Sequence, residues 1–192
     1  MPSRSSIIFW FGLLTVTALV RAAESSVTVP QYARPLLQAG KECEHKKQFN
    51  RAEKCYRRSI SIDPFFVDSY SALATLYSKQ GQWSQAVWAA QMAVQLKPND
   101  FLSLYQLGRL QRRAGDFERS LESLARCAPH YYYGPYCHYE KGLTFVAMRD
   151  LKGVGSQLAQ LVRMDESRLA SELAAAASDN DPQSRVLAPE MK

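Results

Sequence analysis

Residues 67–100 read VDSYSALATLYSKQGQWSQAVWAAQMAVQLKPND, and residues 101–134 read FLSLYQLGRLQRRAGDFERSLESLARCAPHYYYG. Set one above the other, the two blocks share large, small and turn positions. The register extends in both directions. Small residues recur every 34 positions at Gly40, Ala74, Gly108 and Gly142. Leu36, Tyr70, Leu104 and His138 stand four residues before them, and Phe49, Trp83, Phe117 and Leu151 nine residues after. Ala52, Ala86, Ser120 and Val154 follow three residues later, and Pro64 and Pro98 close the first two units. An unbroken period of this length belongs to repeat architectures and decides the fold ahead of local propensity.

Each unit reads as two amphipathic helices. Tyr70, Leu73, Ala74 and Tyr77 share one helical face, and Gly81 ends that helix by accepting a left-handed backbone. Trp83, Ala86, Ala90 and Ala93 mark the buried stripe of the next helix, which breaks at Lys97-Pro98-Asn99-Asp100. The small columns let antiparallel helices approach, with Ala74 set against Ala86 and Gly108 against Ser120.

At these residues the chain resembles the tetratricopeptide repeat family, whose signature has this length and this order of large, small and proline positions. The resemblance implies an all-α fold: a right-handed superhelical solenoid of about four helix-turn-helix units with a capping helix. The units fall at 33–66, 67–100, 101–134 and 135–166, the cap at 167–177, and a disordered tail at 178–192. The cap carries an apolar stripe of Leu169, Ala170, Leu173, Ala174 and Ala177. Lys47 and Arg149 stand where turn glycines are expected, and Gly153 and Gly155 weaken the last repeat helix by about 1 kcal/mol each. The fourth unit is therefore expected to be the least regular.

Residues 1–22 read as a leader rather than as part of this fold. Arg4 precedes an apolar run from Ile7 to Val20, and Val20-Arg21-Ala22 offers a cleavage site. The run is shorter than the roughly 20 residues of a membrane span. The expected location is the bacterial periplasm; the alternative is a retained inner-membrane anchor with the repeats facing the periplasm. Removing Arg4 and Arg21 leaves 22 basic residues against 18 acidic ones, a charge too modest to argue for nucleic acid.

The four cysteines suit an oxidising compartment. Cys127 ends the third unit's second helix and Cys137 begins the next helix, so antiparallel packing sets them face to face and predicts a disulfide. Cys43 and Cys55 are left open between a disulfide and two thiols. A turn centred near Lys46-Lys47 would set Cys43 opposite a residue close to Phe49 and carry Cys55 roughly 9 Å further along. A zinc- or redox-dependent protein built on Cys127 and Cys137, flanked by His130 and His138, is a further alternative, though the spacing matches no zinc pattern. No nucleophile elbow, phosphate loop or zincin helix is present, so neither an enzyme nor a cofactor is expected.

The resemblance also implies a concave groove lined by the first helix of each unit. Carried over by alignment, the groove comprises Arg34, Leu37, Lys41 and Glu44, then Asp68, Ser71, Thr75 and Ser78. Leu102, Tyr105, Arg109 and Arg112 follow, and Tyr136, Tyr139, Leu143 and Val146 complete it. Lys41, Thr75, Tyr105, Arg109, Arg112, Tyr136 and Tyr139 are the expected partner-binding residues. The arginines would take a carboxylate, and the tyrosines an apolar side chain beside it. The run Tyr131-Tyr132-Tyr133-Gly134-Pro135-Tyr136 adds aromatic area at a unit junction. The function so implied is a non-enzymatic adaptor that holds a peptide of an envelope, secretion or pilus-assembly partner. No nucleic acid is expected, and a membrane only if the leader is retained.

Overall fold

The computed structural model describes residues 31–179. The leader at 1–22 and all of the expected tail beyond Asp179 lie outside the described residues. Among the described residues every element is an α-helix: α1 (31–45), α2 (Phe49–Ile62), α3 (Val67–Lys79), α4 (Trp83–Leu96), α5 (Phe101–Arg113), α6 (Phe117–Cys127), α7 (Gly134–Met148), α8 (Leu151–Arg163) and α9 (Ser167–Asp179). Among the described residues no helix is long and apolar enough to cross a membrane. The chain forms two compact units that divide at Ala72 and Leu73, within α3.

In the first unit the Tyr56 ring of α2 covers the bare Cα of Gly40 on α1, and its hydroxyl donates to Glu44 at 2.7 Å. Ser59 is fully buried and donates to the Ala33 carbonyl at 2.9 Å while sharing a 2.7 Å hydrogen bond with Ser69. These bonds satisfy polar atoms that would be costly to bury alone.

In the second unit the same design recurs further along. Leu124 of α6 covers Gly108 of α5, and the Ser120 hydroxyl donates to the Gly108 carbonyl at 2.8 Å. Small residues therefore serve close approach here, as their spacing predicts. At the end of the chain Val146, Val154, Leu161, Ala170 and Leu173 form one core cluster joining α7, α8 and α9. Leu169 and Ala177 pack against it, whereas Ala174 of the expected cap stripe is exposed.

The turns inside the hairpins keep one backbone shape whatever residue occupies them. Lys47, Gly81, Gly115 and Arg149 all have positive φ, at 57°, 72°, 84° and 59°, and Asp165 repeats it at 60°. Each following N–H reaches back five residues: Gln48 to Cys43, Gln82 to Tyr77, Asp116 to Gln111 and Asp150 to Phe145, at 2.8–2.9 Å. This closure satisfies carbonyls that a helix end leaves unpaired. The hairpin period therefore overrides residue preference at Lys47 and Arg149.

The expected irregularity of the fourth unit is not found, since α8 is continuous from Leu151 to Arg163. Its start is capped by Asp150, whose carboxylate accepts from the Gly153 N–H at 3.1 Å. Gly153 itself faces the Phe145 ring, where a Cβ would collide. Of the two glycines of α8, Gly155 alone stands in open space.

Candidate functional site: the inner face of α5 and the tyrosine loop

The i, i+3 spacing of Arg109 and Arg112 on α5 directs both side chains toward Glu140 of α7. The Glu140 side chain is only 6% exposed and receives both guanidiniums. Arg112 donates from Nη2 at 2.8 Å and from Nε at 3.1 Å to Oε2. Arg109 Nε lies 2.9 Å from Oε1 without its N–H aimed along that line, so it contributes charge rather than a directed hydrogen bond. Two cations against one anion leave an excess positive charge on this face. Sequence reasoning read the arginines as open carboxylate receptors and did not single out Glu140. The available signal was an acidic residue at a largely buried helical position, which needs a partner.

Around this pair lie two surfaces. A cleft of about 210 Å³ is lined by Thr75 and Lys79 of α3 and by Gln106, Arg109 and Arg113 of α5. Arg113 lies over the Trp83 ring at 5.5 Å, and Arg109 over the Tyr105 ring at 5.4 Å, the range of a cation–π contact. Tyr105 in turn lies 6.4 Å from both Tyr133 and Tyr136. Burial pushes the Tyr105 phenol up, partly offset by Arg109.

The second surface is an aromatic shelf. Leu102 is 41% exposed, Tyr136 42%, Tyr132 63% and Tyr131 98%. Tyr132 contacts both Tyr133 and Tyr136 through its ring. The loop carrying these rings is held in place. Cys127 and Cys137 are joined by a disulfide across its base, with Cα atoms 6.1 Å apart. His130 Nδ1 accepts from the N–H groups of Tyr132 at 3.2 Å and Tyr133 at 3.1 Å, and the His130 ring packs on Phe101 at 4.4 Å.

The expected binding residues therefore separate. Tyr105, Arg109, Arg112 and Tyr136 come together, and Thr75 shares the cleft with Arg109. Lys41 is exposed on α1, in the other unit. Tyr139, expected to bind a partner, instead packs against the core cluster of α7, α8 and α9 together with Leu143. Leu37 and Val146, also expected in the groove, are buried. The reason is common to all four: carrying positions over by spacing selects a helix face, and part of that face is spent on neighbouring helices.

The disulfide leaves no thiolate pair at Cys127 and Cys137 to hold zinc, which corrects the metal alternative. His138 is occupied otherwise, 2.9 Å from Gln157 Oε1. Cys43 and Cys55 are thiols, half-exposed on α1 and α2.

Two tetratricopeptide repeat models match the chain, at residues 33–66 and 55–87, so it carries tetratricopeptide repeats as its residues predict. No curated protein sequence matches it. Among solved structures it is similar to MamA from Desulfovibrio magneticus RS-1, with 18% identity over 70% of this chain and 76% of that one, at a TM-score of 0.63. It is also similar to PilF of Pseudomonas aeruginosa, with 17% identity, 82% and 71% coverage and a TM-score of 0.65. A mutant O-GlcNAc transferase of Thermobaculum terrenum is 20% identical over 72% of this chain and only 26% of the transferase, at 0.58. At these identities the likeness carries the fold alone, an all-α tetratricopeptide repeat solenoid.

Proposed function

We propose that this protein is a non-enzymatic periplasmic adaptor that holds a peptide segment of an envelope, secretion or pilus-assembly partner against α5. The single observation behind the reading is the junction at Arg109, which lines the cleft and also covers Tyr105 beside the shelf. A segment with an apolar or aromatic anchor would seat on Leu102, Tyr132 and Tyr136, burying ring area that is otherwise wet. Acidic residues flanking that anchor would meet the charge left over after Glu140 is matched. The periplasmic assignment rests on Arg4 and the Ile7–Val20 run.

In-cell photo-cross-linking tests it. A photoreactive residue at Leu102 or Tyr136 is expected to trap one defined envelope partner, while the same residue at exposed Trp88 traps none. Equal trapping from Trp88 would move the site away from α5. Recovery of the chain from the cytosol with its leader intact would overturn the compartment.

A further inference from the structure

Repeat register brings a second pair of cysteines together. Positions 43 and 55 of the first unit correspond, two periods on, to Gln111 and Ser123. The Ser123 hydroxyl donates to Gln111 Oε1 at 2.8 Å, so side chains at these two positions face each other across the hairpin. Contacts inside the first unit agree. Tyr56, the neighbour of Cys55, covers Gly40 and donates to Glu44, the neighbour of Cys43. The Cys55 thiol is pushed up by burial and further by Cys43, which agrees with the two side chains being neighbours. The offset of roughly 9 Å expected from a turn centred near Lys46-Lys47 is not seen at the equivalent positions Gln111 and Ser123. The turn closes through Gln48, whose N–H reaches back to the Cys43 carbonyl at 2.8 Å.

We infer that Cys43 and Cys55 form a redox-active dithiol that closes reversibly to a disulfide between α1 and α2. Both residues are half-exposed, so a small disulfide or a thiol–disulfide oxidoreductase can reach them. In the first step the Cys43 thiolate, having given its proton to water, attacks one sulfur of the oxidant's disulfide and expels the other as a thiolate. The Cys55 thiol then loses its proton and attacks the Cys43 sulfur of the mixed disulfide, releasing the second thiolate. In total the pair gives up two electrons and two protons, and the oxidant leaves as two thiols. Burial pushes the Cys55 thiol up, with Cys43 adding to the effect, which suits Cys55 to the second, resolving step. The pair is independent of the surface on α5, so the proposed binding role can fail without touching it.

The test uses the full chain and oxidised glutathione as the oxidant. After treatment, N-ethylmaleimide quenching and trypsin digestion, the expected product is peptide 42–46 joined to peptide 55–57, without glutathione. Cys55→Ser serves as the second variant. It is expected to retain glutathione on Cys43, since no resolving thiol remains. Stable glutathione on both cysteines of the unsubstituted chain, maleimide on both, or a covalent dimer through either would each overturn the inference.

Discussion

Arg112 and Glu140 are bound across α5 and α7, with two guanidinium nitrogens at 2.8 Å and 3.1 Å from one carboxylate oxygen. The pair converts a stretch that reads as an open receptor into a structural joint. Replacing Glu140 with Ala leaves Arg112, whose side chain is only 20% exposed, facing a cavity without its anion. A loss of about 3 kcal/mol is expected, measured as a fall in urea midpoint. Arg112→Glu is expected to cost at least as much, because it sets two carboxylates together. A double reversal, Arg112→Glu with Glu140→Arg, should recover part of that loss. Unchanged stability in Glu140→Ala would show the joint carries no load.

The recurrent positive-φ turns make an opposite-sign prediction. A side chain in the left-handed region costs about 1 kcal/mol, and glycine relieves that strain while adding some freedom to the unfolded chain. Lys47→Gly and Arg149→Gly should therefore each stabilise by roughly 0.5–1 kcal/mol in thermal or chemical unfolding. Gly81→Ala and Gly115→Ala should each destabilise by a similar amount.

The two glycines of α8 separate propensity from packing. Propensity alone gives both alanine variants a gain of about 1 kcal/mol. Gly155→Ala should show that gain, since nothing lies near its Cβ position. Gly153→Ala should instead lose about 1–3 kcal/mol, because the new methyl meets the Phe145 ring.

Alkaline stability follows from the buried phenols. Burial is the first cause raising Tyr56, Tyr70, Tyr105 and Tyr139 above the ordinary tyrosine value. Above about pH 10 the unfolded chain releases these protons while the folded chain keeps them, so stability falls as pH rises. Lys141, lowered by burial, acts in the other direction, but one lysine opposes four tyrosines. Denaturant midpoints are expected to hold to about pH 9 and to drop steeply above pH 10. Tyr56→Phe should make that drop shallower.

Helix positions and repeat register were legible because they follow from short-range spacing repeated along the chain. The 34-residue columns locate the turn at Arg149 even though Arg there argues against one. The Cys127–Cys137 bond was legible for a related reason, since both residues lie close to one connecting turn. What spacing does not encode is competition for a shared face. Glu140 lies 28 residues beyond Arg112 on another helix, and no local pattern links them. Tyr139 and Val146 likewise sit on the predicted face, but α9 packs there. The register of Cys43 with Cys55 was missed because the count ran outward from the turn residues, whereas facing positions are set by how the two helices pack, as Gln111 with Ser123 shows.

The central claim is that α5 and the tyrosine loop form the binding surface. It is tested most directly by selecting a random peptide library on the unsubstituted chain and measuring the selected peptides on a Leu102→Asp, Tyr136→Ala variant. The account predicts peptides with an apolar or aromatic anchor flanked by acidic residues, and at least tenfold weaker binding to the variant at unchanged melting temperature. Equal affinity for both proteins would contradict it.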